Sequence, residues 1–109
     1  MIGRCKFSVV LVTTPSPEEG RRIARAVLEL RLAACANLVP GVRSIFWWQG
    51  KLDEAEETLI VLKTKQEVLP QLIEEIKRLH SYTVCEVIGI PITEGNPAYL
   101  DWIEETVRP

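Results

Sequence analysis

Most parts of the common catalytic and nucleic-acid-binding machineries are missing from this chain. There is one histidine, His80, and no Ser/His/Asp arrangement assembles around it; there is no metal-protease motif, and no glycine-rich strand-to-helix loop to cradle a phosphate. No Lys/Arg run is longer than Arg21-Arg22, and 13 basic against 15 acidic residues leave a net charge of −2, so no counterion-releasing basic surface is expected and nucleic acid is not the partner. Cys5, Cys35 and Cys85 are odd in number and far apart, with no Cys-x-x-Cys pair, which argues against a disulfide framework and a zinc knuckle and predicts buried free thiols. Long apolar runs are also lacking. The start, Met1-Ile2-Gly3-Arg4-Cys5-Lys6, leads into an apolar stretch too short for a leader or a membrane span, so no membrane association and a cytoplasmic protein are expected.

What is present suits one compact domain over residues 1–109, with 47% apolar residues to build a core. Residues 7–12 are apolar at five of six positions, as in a strand covered on both faces, which should end near Thr14-Pro15. Ser16-Pro17-Glu18-Glu19 follows with a capping hydroxyl, a proline for the first helical position and a carboxylate three residues on, the pattern of a capping box. The helix it opens has Ile23, Ala24, Val27, Leu30 and Ala34 for a buried face, leaving Arg21, Arg22, Arg25 and Glu29 in water.

Residues 38–48 read as a long strand with a bulge or bend at Pro40-Gly41, with Gln49-Gly50-Lys51 as a turn and residues 58–64 as the returning, central arm. Val68, Leu69, Leu72, Ile73, Ile76 and Leu79 mark a second helix starting near Gln66 and closed by His80-Ser81-Tyr82. Residues 84–92 form the last strand, carrying Pro91, and Asn96-Pro97 caps a terminal helix with Tyr99, Leu100, Ile103 and Val107 on its apolar side. The order is βαββαβ plus a helix. Right-handed crossovers, with Pro40 and Pro91 at edges, give a four-stranded sheet of order 4-1-3-2, the ferredoxin-like α+β sandwich.

Such a sheet carries both helices on one face, leaving the other face bare. Trp47 and Trp48 are consecutive on one strand and point to opposite faces, so either one is core and the other exposed, or an oligomer interface covers both. The long hairpin offers an edge for pairing between subunits, which favours the oligomer.

Arg31-Leu32-Ala33-Ala34-Cys35-Ala36-Asn37-Leu38-Val39-Pro40 and Ser44-Ile45-Phe46-Trp47-Trp48-Gln49-Gly50-Lys51 resemble two characteristic segments of the CutA divalent-cation tolerance family. Leu62-Lys63-Thr64-Lys65, His80-Ser81-Tyr82-Thr83-Val84-Cys85-Glu86 and Glu94-Gly95-Asn96-Pro97-Ala98-Tyr99-Leu100-Asp101-Trp102 resemble its remaining blocks, in the same order. The resemblance implies a ferredoxin-like subunit in a homotrimer with Trp47 and Trp48 at its interface, a response to divalent cations, copper among them, and no established enzymatic reaction. It also implies a thiol on the first strand of the copper site, at a position occupied here by Val12. Ser81 and Cys85 stand where the family commonly has prolines, which makes this loop less rigid.

For a metal, the donors within reach of one another in sequence are His80 and Glu86; Cys85, next to Glu86, should face away from it. His80 has an alternative role, its ring capping the last carbonyls of the second helix. Cys35, a candidate for the ligand cleft with Trp48, Lys63 and Tyr82, is either a compact core group or a reactive thiol. Glu86, set in an apolar strand, either faces a polar cleft or pairs with a cation such as Lys63. Lys63, Tyr82 and Glu86, with Trp48 arriving from a neighbouring subunit, would form a small-ligand pocket, a structural network or, least favoured, an enzyme site. Two functions follow as expectations: a trimeric metal-binding tolerance protein, or a non-enzymatic sensing or scaffold trimer, similar to PII-type signal proteins, binding a small molecule or partner protein between subunits.

Overall fold

The computed structural model describes residues 5–109; Met1 to Arg4, part of the start read above as neither leader nor span, lie outside them. Strand β1, Phe7–Thr14, alternates half-buried and buried residues along its whole length. Helix α1, Pro17–Glu29, starts where Ser16 Oγ accepts the Glu19 amide at 3.2 Å. The second half of the expected capping box is redirected: the Glu19 carboxylate turns away to accept the Ser81 amide at 2.8 Å. The helix also ends earlier than its apolar spacing implied. Leu30 is the C-cap and is exposed, Arg31 follows at φ +57°, and Ala34 is buried beyond the helix, just before β2, where its amide donates to Lys63 O.

Strands β2, Cys35–Trp48, and β3, Lys51–Lys65, form a hairpin far longer than its apolar residues predict. Residues 51–56 are mostly polar and, Ala55 apart, exposed; backbone pairing with β2 and the turn hold this part of the ribbon. The turn is Gln49-Gly50, both at positive φ (+51° and +79°), which suits the twist of a two-residue hairpin. The bulge or bend expected at Pro40-Gly41 is a bulge, lying between Val39 and Val42.

A 3₁₀ turn, Gln66–Val68, precedes helix α2, Leu69–Leu79, so the regular helix begins three residues after the predicted start. Strand β4 is only Val87–Pro91, not residues 84–92, because its pairing with β1 runs from Ser8↔Pro91 to Val12↔Val87 and stops. Glu86 therefore lies in the preceding loop rather than in a strand. Helix α3, Pro97–Thr106, is capped by Asn96, whose Oδ1 accepts the Ala98 amide.

The sheet order β2-β3-β1-β4 is the expected 4-1-3-2, with both prolines on edge strands and all pairings antiparallel. Ser8, Val10, Val12 and Thr14 of β1 and Thr58, Ile60, Leu62 and Thr64 of β3 are buried on one face, together with Ile23 and Val27 of α1 and Leu72 and Ile76 of α2. Ile103 and Val107 at the end of α3 complete this core. Gly89 lets α2 approach β4 closely: a Cβ there would lie 2.7 Å from Leu69 Cδ2. The alternate face carries Val9, Leu11, Leu59 and Val61, which are half-buried, and Val39, Ile88 and Ile90, which are exposed. Among the described residues no helix is long and apolar enough to cross a membrane.

Candidate functional site

The open face runs out along the projecting hairpin into a cleft of about 640 Å³. Cross-strand pairing puts Ser44, Phe46 and Trp48 of β2 on the same side as Asp53 and Glu57 of β3, and these form one wall; Thr13 and the loop residues Tyr82, Thr83, Val84 and Glu86 form the other. The ionisable groups of the lining are the carboxylates of Asp53, Glu57 and Glu86 and the phenol of Tyr82; no lysine, arginine or histidine is among them.

Glu57 is 7% exposed, and its Oε2 accepts a hydrogen bond from the Tyr82 hydroxyl at 2.7 Å. Burial, and then this bond to a carboxylate, push the Tyr82 phenol up to about 12, so Tyr82 remains a donor at neutral pH. Among the described residues Glu57 has no ion-pair partner.

His80 stands behind the cleft, not in it. Its side chain is fully buried; Nε2 lies 2.7 Å from Thr13 O and Nδ1 accepts the Tyr82 amide at 3.0 Å. An amide can only donate, so Nδ1 is the acceptor and Nε2 carries the proton given to Thr13 O. The ring does not cap α2; the His80 backbone amide does that, donating to Ile76 O. The ring lies 4.8 Å from the Tyr82 ring, centroid to centroid, and fixes the start of the cleft loop. Glu19 Oε2 lies 3.5 Å from Nδ1. Its partial burial raises the carboxyl, but the Ser81 amide and hydroxyl, His80 and Arg22 lower it further, leaving it below its ordinary value.

The structure thus divides the residues singled out from sequence. Trp48, Tyr82 and Glu86 meet in the cleft. Lys63 does not pair with Glu86; it is directly opposite Cys35 in the sheet, with Nζ hydrogen-bonded to Asn37 Oδ1 and 3.9 Å from Cys35 Sγ. Tyr99 of α3 also contacts Cys35, and burial followed by that contact raises its phenol. All three cysteines are partly exposed, not buried, and Cys85 is outside the cleft lining. Trp47 is 74% exposed on the opposite side of the ribbon from Trp48. Asp53, Glu57, Ser44 and Phe46 were missed. Their shared parity with Trp48 across the hairpin was the signal that could have found them.

No group of three or more His, Cys, Asp or Glu side chains among the described residues converges tightly enough to hold a metal ion. The cleft carboxylates are hard oxygen donors spread around an opening, a set that fits a hydrated hard cation better than a nitrogen- and sulfur-seeking copper ion.

The model of the CutA1 divalent ion tolerance protein family matches residues 8–106. The divalent-cation tolerance protein CutA of Thermus thermophilus is 53% identical over 97 residues, covering 89% of this chain and 94% of its relative. The solved structure of that organism's protein superposes with a TM-score of 0.92 over 94% of this chain and 99% of its own. The periplasmic divalent cation tolerance protein CutA of Archaeoglobus fulgidus gives 0.91 at 43% identity, covering 94% and 99%. A chloroplastic CutA 1 protein of Oryza sativa is 44% identical over 92% of this chain, which spans only 56% of that relative's length.

Proposed function

The chain belongs to the CutA1 divalent ion tolerance family, and from that premise we propose that it acts as a homotrimeric divalent-cation tolerance protein whose acidic clefts hold the cation. One observation carries this reading: the sheet's open apolar face leads directly into a cleft whose charged side chains are all carboxylates. The apolar face calls for a covering subunit. The carboxylates supply the field for a cation, with water or a neighbouring subunit completing its coordination.

Asp53, Glu57 and Glu86 would attract a hydrated ion from around the opening without converging on it as a three-ligand set, and His80 positions Tyr82 without ligating. Copper remains within the proposal only as an ion held by oxygens, since both His80 nitrogens are engaged. Calorimetric titration with copper and with manganese tests this. Glu57→Gln together with Glu86→Gln should abolish saturable binding, and His80→Ala should leave the stoichiometry unchanged. Loss of copper alone in His80→Ala would instead make the histidine a ligand. Light scattering should give three subunits.

A second reading, a sensing trimer without catalysis that binds a small molecule, is favoured by the cleft's volume and its apolar residues Ile45, Phe46, Trp48 and Val84.

A further inference from the structure

The cleft is larger and more apolar than an inorganic ion requires. At about 640 Å³ it falls in the range of sites for small organic molecules. Its apolar lining combines aliphatic side chains with Phe46 and Trp48, and Tyr82 adds a third ring. Aromatic rings attract alkylammonium groups through their negative faces while covering the attached methylenes.

The charge points the same way. Glu57 is more than nine-tenths buried, yet its partner is a neutral hydroxyl, not a cation. A buried carboxylate without a counter-charge is costly, and a ligand bringing one positive group to it recovers that cost on binding. Asp53 and Glu86, both exposed, add negative charge toward the opening, so a ligand with a second positive group is favoured and an anion is repelled.

We propose that the cleft binds an organic polycation, an aliphatic polyamine, with one ammonium group on Glu57, another toward Asp53 or Glu86, and the methylene spacer against Phe46 and Trp48. This goes beyond the divalent-cation reading and does not depend on it, because an ion uses the carboxylates but not the apolar wall.

Titration calorimetry of the full chain with spermidine, in metal-free buffer at neutral pH, tests the proposal. Saturable binding is expected, weakened about tenfold or more by Glu57→Gln and by Trp48→Leu, a tenfold change being about 1.4 kcal/mol. Asp53→Asn, at an exposed position, serves if Glu57→Gln does not fold, with a smaller loss expected. Glu74→Gln, on the outer surface of α2, should leave affinity unchanged. No saturable heat at millimolar spermidine, or equal weakening by Glu74→Gln and Glu57→Gln, would overturn it. Copper and manganese titrated into the same samples separate the two readings: retained binding of either metal without spermidine binding fails this proposal alone, and spermidine binding with neither metal bound fails the metal reading alone.

Discussion

The two faces of the sheet are made from alternate residues of the same strands, yet they differ in what finishes them. On the helix-covered face, Ile60 and Leu62 are fully buried within the subunit. On the other, Leu59 and Val61 are only half-buried, Ile88 and Ile90 are exposed, and the surface ends in carboxylates. The first face is complete in one chain. The second leaves apolar side chains open and ends in carboxylates, so the packed core and the candidate site lie on opposite sides of one sheet.

Adjacent residues allow that contrast to be broken one side at a time. Leu62→Ala should have the largest effect on the subunit, lowering unfolding free energy by about 2–5 kcal/mol in chemical denaturation, because it opens a cavity in a packed core. Ile88→Asp should act on assembly instead: light scattering should report a smaller species with its circular dichroism retained, and an unchanged mass would remove this face from the interface. Its neighbour Gly89→Ala pushes a methyl group toward Leu69 on the covered face and should cost about 1–3 kcal/mol with the oligomer intact. Ser16→Ala removes the α1 cap and should cost about 1 kcal/mol, again without changing the mass.

The smallest effect is expected from pH. Glu19 titrates below its ordinary value of 4.5 in the folded chain. Its depressed value contributes stability that is present above 4.5 and lost as pH falls through the lower folded value. Glu19→Gln should flatten the acid limb of a stability-versus-pH curve and leave the neutral region little changed.

The covered face was legible in the sequence because burial writes itself as pattern. The apolar runs around Val10 and Ile60, Ser16 before Pro17, and the edge prolines Pro40 and Pro91 were enough for element order and sheet order. The cleft was less legible. Residues 51–57 carry no apolar signature because their pairing is backbone pairing, so from sequence the returning arm begins only at residue 58. In sequence Glu57 is the last residue of the acidic stretch 53–57, with nothing local to mark it as buried, and the approach of Tyr82, 25 positions away, accompanies its burial. His80 was noticed for its chemistry, but its partner Thr13 O is 67 positions distant and nothing local announces it.

The bulge at Pro40-Gly41 has an effect out of proportion to its size. From Val39↔Leu59 to Val42↔Glu57, β2 advances three residues while β3 advances two. That extra residue is a frameshift in the strand's alternation: before it the odd-numbered side chains of β2 share the side of Leu59 and Val61, and after it the even-numbered ones do. Deleting Gly41 would restore the original phase, turning Trp47 toward the carboxylates and Ser44, Phe46 and Trp48 away. Which of two neighbouring tryptophans lines the cleft, and which stands on the other side of the ribbon, is decided by one inserted residue several positions upstream of both.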